Sequence, residues 1–327
     1  MLAVLLGLIS AFFVGTSDFL GGAATKRMSP VKVIAIVSAT GLVALTIANI
    51  FIDGHWSVDA VVWGGLSGLV GGIAGVLLYV CLAIGPMSVL SPLTALVAAI
   101  VPMSIGLADG AHLRPIHYVA LAIALIAVLL VGFAPTRDVV RPTPRAITLA
   151  LAAGIAVGLF LVLLKLTPAD SGLTPLIANR AANGSMMFLI IGIAALLARK
   201  HRRSGASGSA SPAAAGTGLS LTGLMRLVSA PTSLAPPSPT IESPSPRSRW
   251  ASPGLLATVS GLVLAISNAG LLTSLRLGDL AVISVIGAMY PIGTITLAAI
   301  VLRERIAPLQ GVGLVLALGA AGMLALG

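Results

Sequence analysis

Ser67-Gly68-Leu69-Val70 and Ser260-Gly261-Leu262-Val263 are the same four residues, met twice in one chain. They anchor a gapless alignment of residues 61–134 onto residues 254–327 at an offset of 193, with Leu82 on Leu275, Gly85 on Gly278, Val89 on Val282, Ser91 on Ser284, Ala95 on Ala288 and Pro115 on Pro308. The start of the chain repeats as well, at an offset of 143: Val14-Gly15 falls on Val157-Gly158, Ala35 on Ala178, Ala39 on Ala182 and Gly41 on Gly184. The offset grows from 143 to 193, so the second copy carries an insertion of about 50 residues. Single identities among Ala, Gly, Val and Leu arise by chance; a register kept over whole helices does not.

Hydrophobic residues make up 57% of the 327 residues and charged residues 9%, a composition that fits a polytopic helical membrane protein rather than a soluble domain. The apolar stretches are helix-length, and they lack the short polar/apolar alternation of a transmembrane barrel. Cys81 is the only cysteine, so no intrachain disulfide forms. The formal net charge of +10 resides in loops between apolar stretches, which points to orientation and anionic lipid rather than nucleic acid. The first apolar run has no basic leader and has a repeat partner at residues 145–166, so it reads as a mature helix and not as a signal peptide.

Ten transmembrane helices are expected, near 2–24, 31–52, 60–83, 87–108, 115–134, 145–166, 173–198, 253–275, 280–302 and 308–326. Pro30, Pro115, Pro144, Pro253 and Pro308 mark helix starts, where a missing N–H costs nothing. The fold class is therefore all-α, two five-helix repeats (1–134 and 145–327), the second interrupted by residues 199–252. That interruption opens on Arg199-Lys200-His201-Arg202-Arg203, is rich in Ser, Pro, Ala and Gly, and reads as a disordered basic loop. Repeats with an odd number of crossings lie oppositely in the membrane, the pattern of secondary transporters with a site between the halves. Fifteen Lys and Arg fall in the loops after the odd-numbered helices, against Arg114, Lys165 and Arg276 in the others. The positive-inside rule then places the 199–252 loop in the cytoplasm and both termini outside.

Arg303-Glu304-Arg305-Ile306, followed by Pro308-Leu309-Gln310 and Gly313, closes the ninth helix and opens the tenth. Together with Leu275-Arg276-Leu277-Gly278-Asp279-Leu280-Ala281-Val282-Ile283-Ser284 and Gly15-Thr16-Ser17-Asp18-Phe19-Leu20-Gly21-Gly22, it resembles the EamA-type permeases of the drug/metabolite transporter superfamily. The resemblance covers the chain outside 199–252. It implies a permease of the cytoplasmic membrane that moves small metabolites or drugs, often outward, through a central cavity. The first copy departs from the pattern: Asp109-Gly110-Ala111-His112-Leu113-Arg114-Pro115 stands where the second has the charged Arg-Glu-Arg stretch.

Two charged residues fall well inside helices. Asp18 lies about 12 Å along its helix from Lys26. A mid-membrane carboxylate costs roughly 2.5–3.5 kcal/mol, so it needs an ion pair, a wet cavity or a proton. It reads either as a proton-coupling or cation-binding group or as a hydrogen-bond hub with Thr16 and Ser17. Arg180 is the intramembrane cation, flanked by Asn179 and Asn183 four residues apart on one helix side. It suits a partnership with Asp18 or an anionic group, and the alternative is a static ion pair or an arginine snorkelling to a polar region. The repeat partners are Leu161 for Asp18 and Val37 for Arg180, so each charge belongs to one half only. Tyr79, Asn268 and Tyr290 are further cavity candidates, Tyr290 because Pro291 interrupts its helix. Ser88, Ser91, Thr94, Thr273 and Ser284 read as helix-packing groups, and Gly64, Gly68 and Gly72 as a ridge for close helix approach.

No phosphate-binding loop, Cys/His cluster or carboxylate pair is present in the sequence, and His55, His112, His117 and His201 are scattered, so no cofactor, metal or enzyme chemistry is expected. The reading is a secondary permease working by alternating access, an exporter driven by protons or running as a uniporter, monomer or homodimer, with a small-molecule substrate and the lipid bilayer as partners. A non-transporting scaffold or sensor acting through the 199–252 loop, and an intramembrane enzyme, are the rival classes.

Overall fold

The computed structural model describes residues 1–25, 27–52, 54–84, 87–109, 114–132, 143–204, 252–301 and 308–326. These are all-helical, without a strand among the described residues: α1 (Leu2–Thr25), α2 (Pro30–Asn49), α3 (Val58–Ile84), α4 (Met87–Ala108), α5 (Pro115–Gly132), α6 (Pro144–Lys165), α7 (Thr174–Ser204), α8 (Pro253–Leu277), α9 (Leu280–Gly287), α10 (Pro291–Val301) and α11 (Pro308–Leu326). Six of them are long and apolar enough to cross a membrane: α1, α2, residues Val58–Leu78 of α3, α6, residues Thr174–Leu197 of α7, and α8. Shorter apolar stretches run over Leu93–Ala108, Pro115–Leu130, Leu280–Thr294 and Gly311–Ala320. Prolines open α2, α5, α6, α8, α10 and α11, and the side chains of Thr143 and Ser252 cap α6 and α8 by accepting from the N–H groups of Ala146 and Leu255, each at 3.3 Å.

The distribution of side chains is that of a lipid-facing bundle. Leu5, Ile47, Ile73, Leu189, Ile266 and Val315 stand exposed, whereas Ser10, Ser38, Ser67, Thr94, Ser267 and Ser274 are buried. Lipid gives apolar side chains no reason to turn inward, so small and hydroxylated residues take the helix–helix contacts. Helix α8 carries serines at positions 260, 267 and 274, seven apart, and they meet α1 running the other way. Ser17 and Ser260 lie Oγ to Oγ at 2.9 Å, Ser267 donates to the Ser10 carbonyl at 2.8 Å, and Ser274 to the Ala3 carbonyl at 2.6 Å. Seven residues is two helical turns, so one seam is kept along the whole pair. Gly64 and Gly68 of α3 rest on the backbone of Pro175 and Asn179 in α7, and Gly72 on the side chains of Met186 and Asn183. Gly261 of α8 rests likewise on Val37 and Thr40 of α2.

Helices from the two ends of the chain interleave. α1 and α2 pack against α8, with α9 and α10 against α1; α3 and α4 pack against α6, and α3 against α7. α2 meets α7, α4 meets α9 and α5 meets α11.

Two boundaries differ from the sequence reading. The expected helix 280–302 is broken, with residues 288–290 in a turn between α9 and α10. Pro291 has no N–H to offer the carbonyl of Gly287, and tighter bonds carry the chain across: Met289 N–H to Ile286 O at 3.0 Å and Tyr290 N–H to Gly287 O at 3.2 Å. The seventh helix continues to Ser204, so residues 199–204, assigned to the loop, are helical. The rest of the Ser/Pro-rich stretch from residue 205 to 251, the Arg303-Glu304-Arg305 stretch, His112, and the loop cations Lys26, Arg137 and Arg141 lie outside the described residues.

Candidate functional site: a charged cavity among the helices

Between the interleaved helices lies a cavity of about 220 Å³. α1, α2, α3, α4, α6, α7, α8 and α9 all contribute walls, as does the turn at 288–290. The walls are mostly small or apolar (Val14, Ala74, Gly75, Phe160, Leu264, Leu271), broken by a few polar groups, the usual make-up of a small-molecule site.

The polar groups are concentrated on α1, α7 and α8. α7 begins after a tight turn in which Gly172 has φ of 54°, a left-handed conformation that favours glycine, packed against Gly54. One helical turn further in, Asn179, Arg180 and Asn183 reach the cavity from one side of α7. Asn179 donates to Ser67 Oγ at 2.8 Å, which ties it to α3. Arg180 is 5% exposed and Asn183 7%. The Nε and Nη2 groups of Arg180 and the Oδ1 of Asn183 have no hydrogen-bond partner. The arm of Arg180 lies over Gly41, where a Cβ would come within 3.3 Å of its Cδ and Nε.

Across the cavity, Ser17 of α1 is held by Ser260: each hydroxyl also donates to the other's carbonyl, at 3.0 and 2.9 Å. Asp18 follows directly and lines the same space. Among the described residues no ion pair joins Asp18 to Arg180, nor does any hydrogen bond. Asn268 and Ser284 add to the wall from α8 and α9, and Ser284 donates to Ala281 O at 2.9 Å. Tyr290 enters from the turn ahead of Pro291. The structure thus brings Ser17, Asp18, Asn179, Arg180, Asn183, Asn268 and Tyr290 together. It does not bring Thr16, whose hydroxyl turns back to the Phe12 carbonyl at 3.0 Å on an exposed face. Thr273 does the same to Ala269, and Thr94 bonds Leu90 and Ala150 carbonyls away from the cavity. The side chains of Tyr79, Ser88 and Ser91 lie outside the described residues.

Ser38, Ser260 and Phe160 also line the cavity and escaped the sequence reading. For Ser260 a signal was available: it is the repeat partner of Ser67, a polar residue kept at the same place in both copies. Among the described residues no three His, Cys, Asp or Glu gather as a metal site would require.

Residues 205–326 match the EamA-like transporter family. The match takes in the stretches at 275–284 and 303–313 that carry the resemblance, while Gly15–Gly22 lies outside it. The EamA-like match takes in α8 to α11, hence Asn268, Ser284 and Tyr290, while Asp18 and Arg180 stand in the part of the chain before it. No curated protein matches the chain. A solved structure titled "Crystal structure of protein" superposes with a TM-score of 0.63 over 99% of this chain and 96% of its own, at 16% identity, which is a likeness of fold. With an EamA-like region and six helices fit to span a bilayer, the chain is a multi-pass membrane protein.

The turn at 288–290 invites a direct test. Gly15 of α1 is pressed on the Tyr290 carbonyl and Thr294 N–H, and Thr294 Oγ1 donates to Gly15 O at 3.0 Å. Pro291→Ala returns an N–H that lets α9 and α10 merge, which would move Tyr290 off the cavity wall. The expected outcome is a folded protein, with helix content equal or higher by circular dichroism.

Proposed function

We propose that the chain is a secondary transporter of the cytoplasmic membrane, moving small metabolites or drugs outward by alternating access around this cavity. The observation that carries the reading is the cavity itself: an acid, Asp18, and a buried cation, Arg180, unpaired with each other among the described residues, line the same central space. Charges so placed cost several kcal/mol each and persist where a ligand or ion offsets them.

In this reading the chain has ten crossings, α9 and α10 together forming one, arranged as two inverted five-helix repeats. The packing supports it. If α1 to α5 are exchanged for α6 to α11 in order, α1–α8 becomes α6–α3, α3–α7 becomes α8–α2, and α2–α7, α4–α9 and α5–α11 map onto themselves. Single contacts follow the sequence offsets: Gly15 lies on Thr294, and its repeat partner Gly158 on Val101, the partner of Thr294. The moving bodies are then α1, α2 and α8–α10 on one side and α3, α4, α6 and α7 on the other. Both termini are outside and the 199–252 loop is cytoplasmic, as the positive-inside rule has it.

One end is clasped across these bodies. Lys165 donates to the carbonyls of Leu275 and Gly278, the latter at 3.0 Å, while Arg276 donates to the Pro168 carbonyl at 3.1 Å and to Ser171 Oγ at 2.9 Å. The repeat partners of Lys165 and Arg276 are Gly22 and Ala83, so the clasp residues are not repeated at the equivalent positions of the other end. Each half-exposed clasp is worth about 1 kcal/mol. Lys165→Ala/Arg276→Ala is expected to open this end about tenfold more often. In a Cys81→Ser background, an impermeant maleimide added from that side should then label Ser38→Cys about tenfold faster; an unchanged rate would refute the clasp.

Transport is tested by reconstituting the purified protein in liposomes with an imposed pH gradient and screening pooled amino acids, nucleosides and cationic drugs. Gradient-dependent flux establishes proton coupling, and gradient-independent flux a uniporter. No flux of any pool would sink the transporter reading in favour of a scaffold.

A further inference from the structure

We propose that the cavity holds its substrate by a carboxylate, paired with the guanidinium of Arg180. The term substrate rests on the transporter reading above; the binding site does not. Arg180 is 95% buried by its 5% exposure, and its Nε and Nη2 have no hydrogen-bond partner. A guanidinium offers paired N–H donors in a fixed fork that matches the two oxygens of a carboxylate. Buried donors on a cation are costly to leave empty, and even the half-buried Lys165 and Arg276 find acceptors, Lys165 on Leu275 and Gly278 and Arg276 Nη2 on Pro168 and Ser171.

The surroundings are shaped to the same end. Gly41 leaves room for the arm of Arg180, and a Cβ there would press on Cδ and Nε. Asn179, which could have turned to the guanidinium, is instead engaged with Ser67. Asn183 shows a second gap, an Oδ1 acceptor without a donor, beside Gly72 of α3. The charge balance of the cavity argues against phosphate. Among the described residues Arg180 is the one cation on its wall, and Asp18 is there too, so a dianion would face a carboxylate with a single positive charge to offset it.

The test is equilibrium binding to the full chain in detergent, read by ligand-induced thermal stabilisation. The probes are small aliphatic and aromatic carboxylic acids, each paired with its own primary amide, and inorganic phosphate. The expected result is at least one acid that binds about tenfold or more tightly than its amide and than phosphate. Arg180→Lys, which keeps the charge and loses the fork, is expected to erase that preference. Arg180→Met is expected to melt no lower than the unliganded wild type, because the guanidinium it removes had no acceptors. Equal binding of acid and amide, tighter binding of phosphate, a preference that survives Arg180→Lys, or a collapse of Arg180→Met would each overturn the proposal. An acid that binds but is not moved across liposomes would sink the transporter reading and leave the site; a cargo moved equally well as its amide would sink the site and leave the transporter.

Discussion

Asp18→Asn is expected to cost about ten- to hundredfold in transport while leaving the protein as stable as the wild type. The side chain lines the cavity and, among the described residues, makes no hydrogen bond or ion pair, so the fold loses no contact when its charge is removed. Asn has the same shape, and an uncharged group at that depth is the less costly one by roughly 2.5–3.5 kcal/mol on insertion scales. What Asn cannot do is carry a proton or pair with a cation, and interactions of a charged group with a ligand are worth roughly 1.5–3 kcal/mol. Flux at the wild-type rate, measured in the same liposomes under the same gradient, would reduce Asp18 to a bystander. A loss of folding, seen as a lowered melting temperature, would make it structural.

Gly68→Leu is expected to prevent a properly packed protein from forming at all. The Cβ alone would meet the Asn179 carbonyl oxygen and come within 2.8 Å of its carbonyl carbon and Cα. These are backbone atoms of α7 and have no rotamer to escape into, so α3 and α7 must move apart. Separation also breaks the Asn179–Ser67 hydrogen bond and drags Arg180, the next residue, away from Gly41. Overpacking of this kind costs about 3 kcal/mol, more where the obstacle is backbone. Gly65→Leu is the control. Only three residues before Gly68, it has nothing within 4 Å of its Cβ, and the substitution should stay within about 0.5 kcal/mol. Size-exclusion profiles and melting curves of the two variants, side by side, decide the matter. Equal behaviour would mean that the α3–α7 contact does not hold the fold.

Much of this was legible in the chain. Apolar runs between prolines located the helices because a membrane helix must satisfy its backbone internally, which makes composition and length a sufficient signal. Pro291 announced a disturbance in its helix, but composition could not tell a kink from a break into α9 and α10. The serine seam of α8 was in plain view at 260, 267 and 274 and went unread, because seven-residue spacing of a single small polar residue is common in apolar helices and its partners Ala3, Ser10 and Ser17 had to be known first. For the site, the rare charges Asp18 and Arg180 were the readable part, since the bilayer penalises every ionised group and those tolerated stand out. Thr16 was the misleading part. A hydroxyl one residue from the cavity face bonds its own helix instead, a choice set by a rotation of about 100° per residue.

By itself the sequence determined that this is a helical, multi-pass membrane chain with a repeated plan, and which residues carry charge inside it. Only the tertiary structure decided that α3 and α4 leave their own half to pack on α6 and α7, that α8 closes on α1, and that Asp18 and Arg180 thereby face one cavity without touching. The reason is physical. Crossing the membrane depends on the apolar sum of a single segment, which is local and additive. Choosing a neighbour depends on close fit between small side chains and backbone, because lipid is as apolar as any helix and supplies no hydrophobic preference for one partner over another.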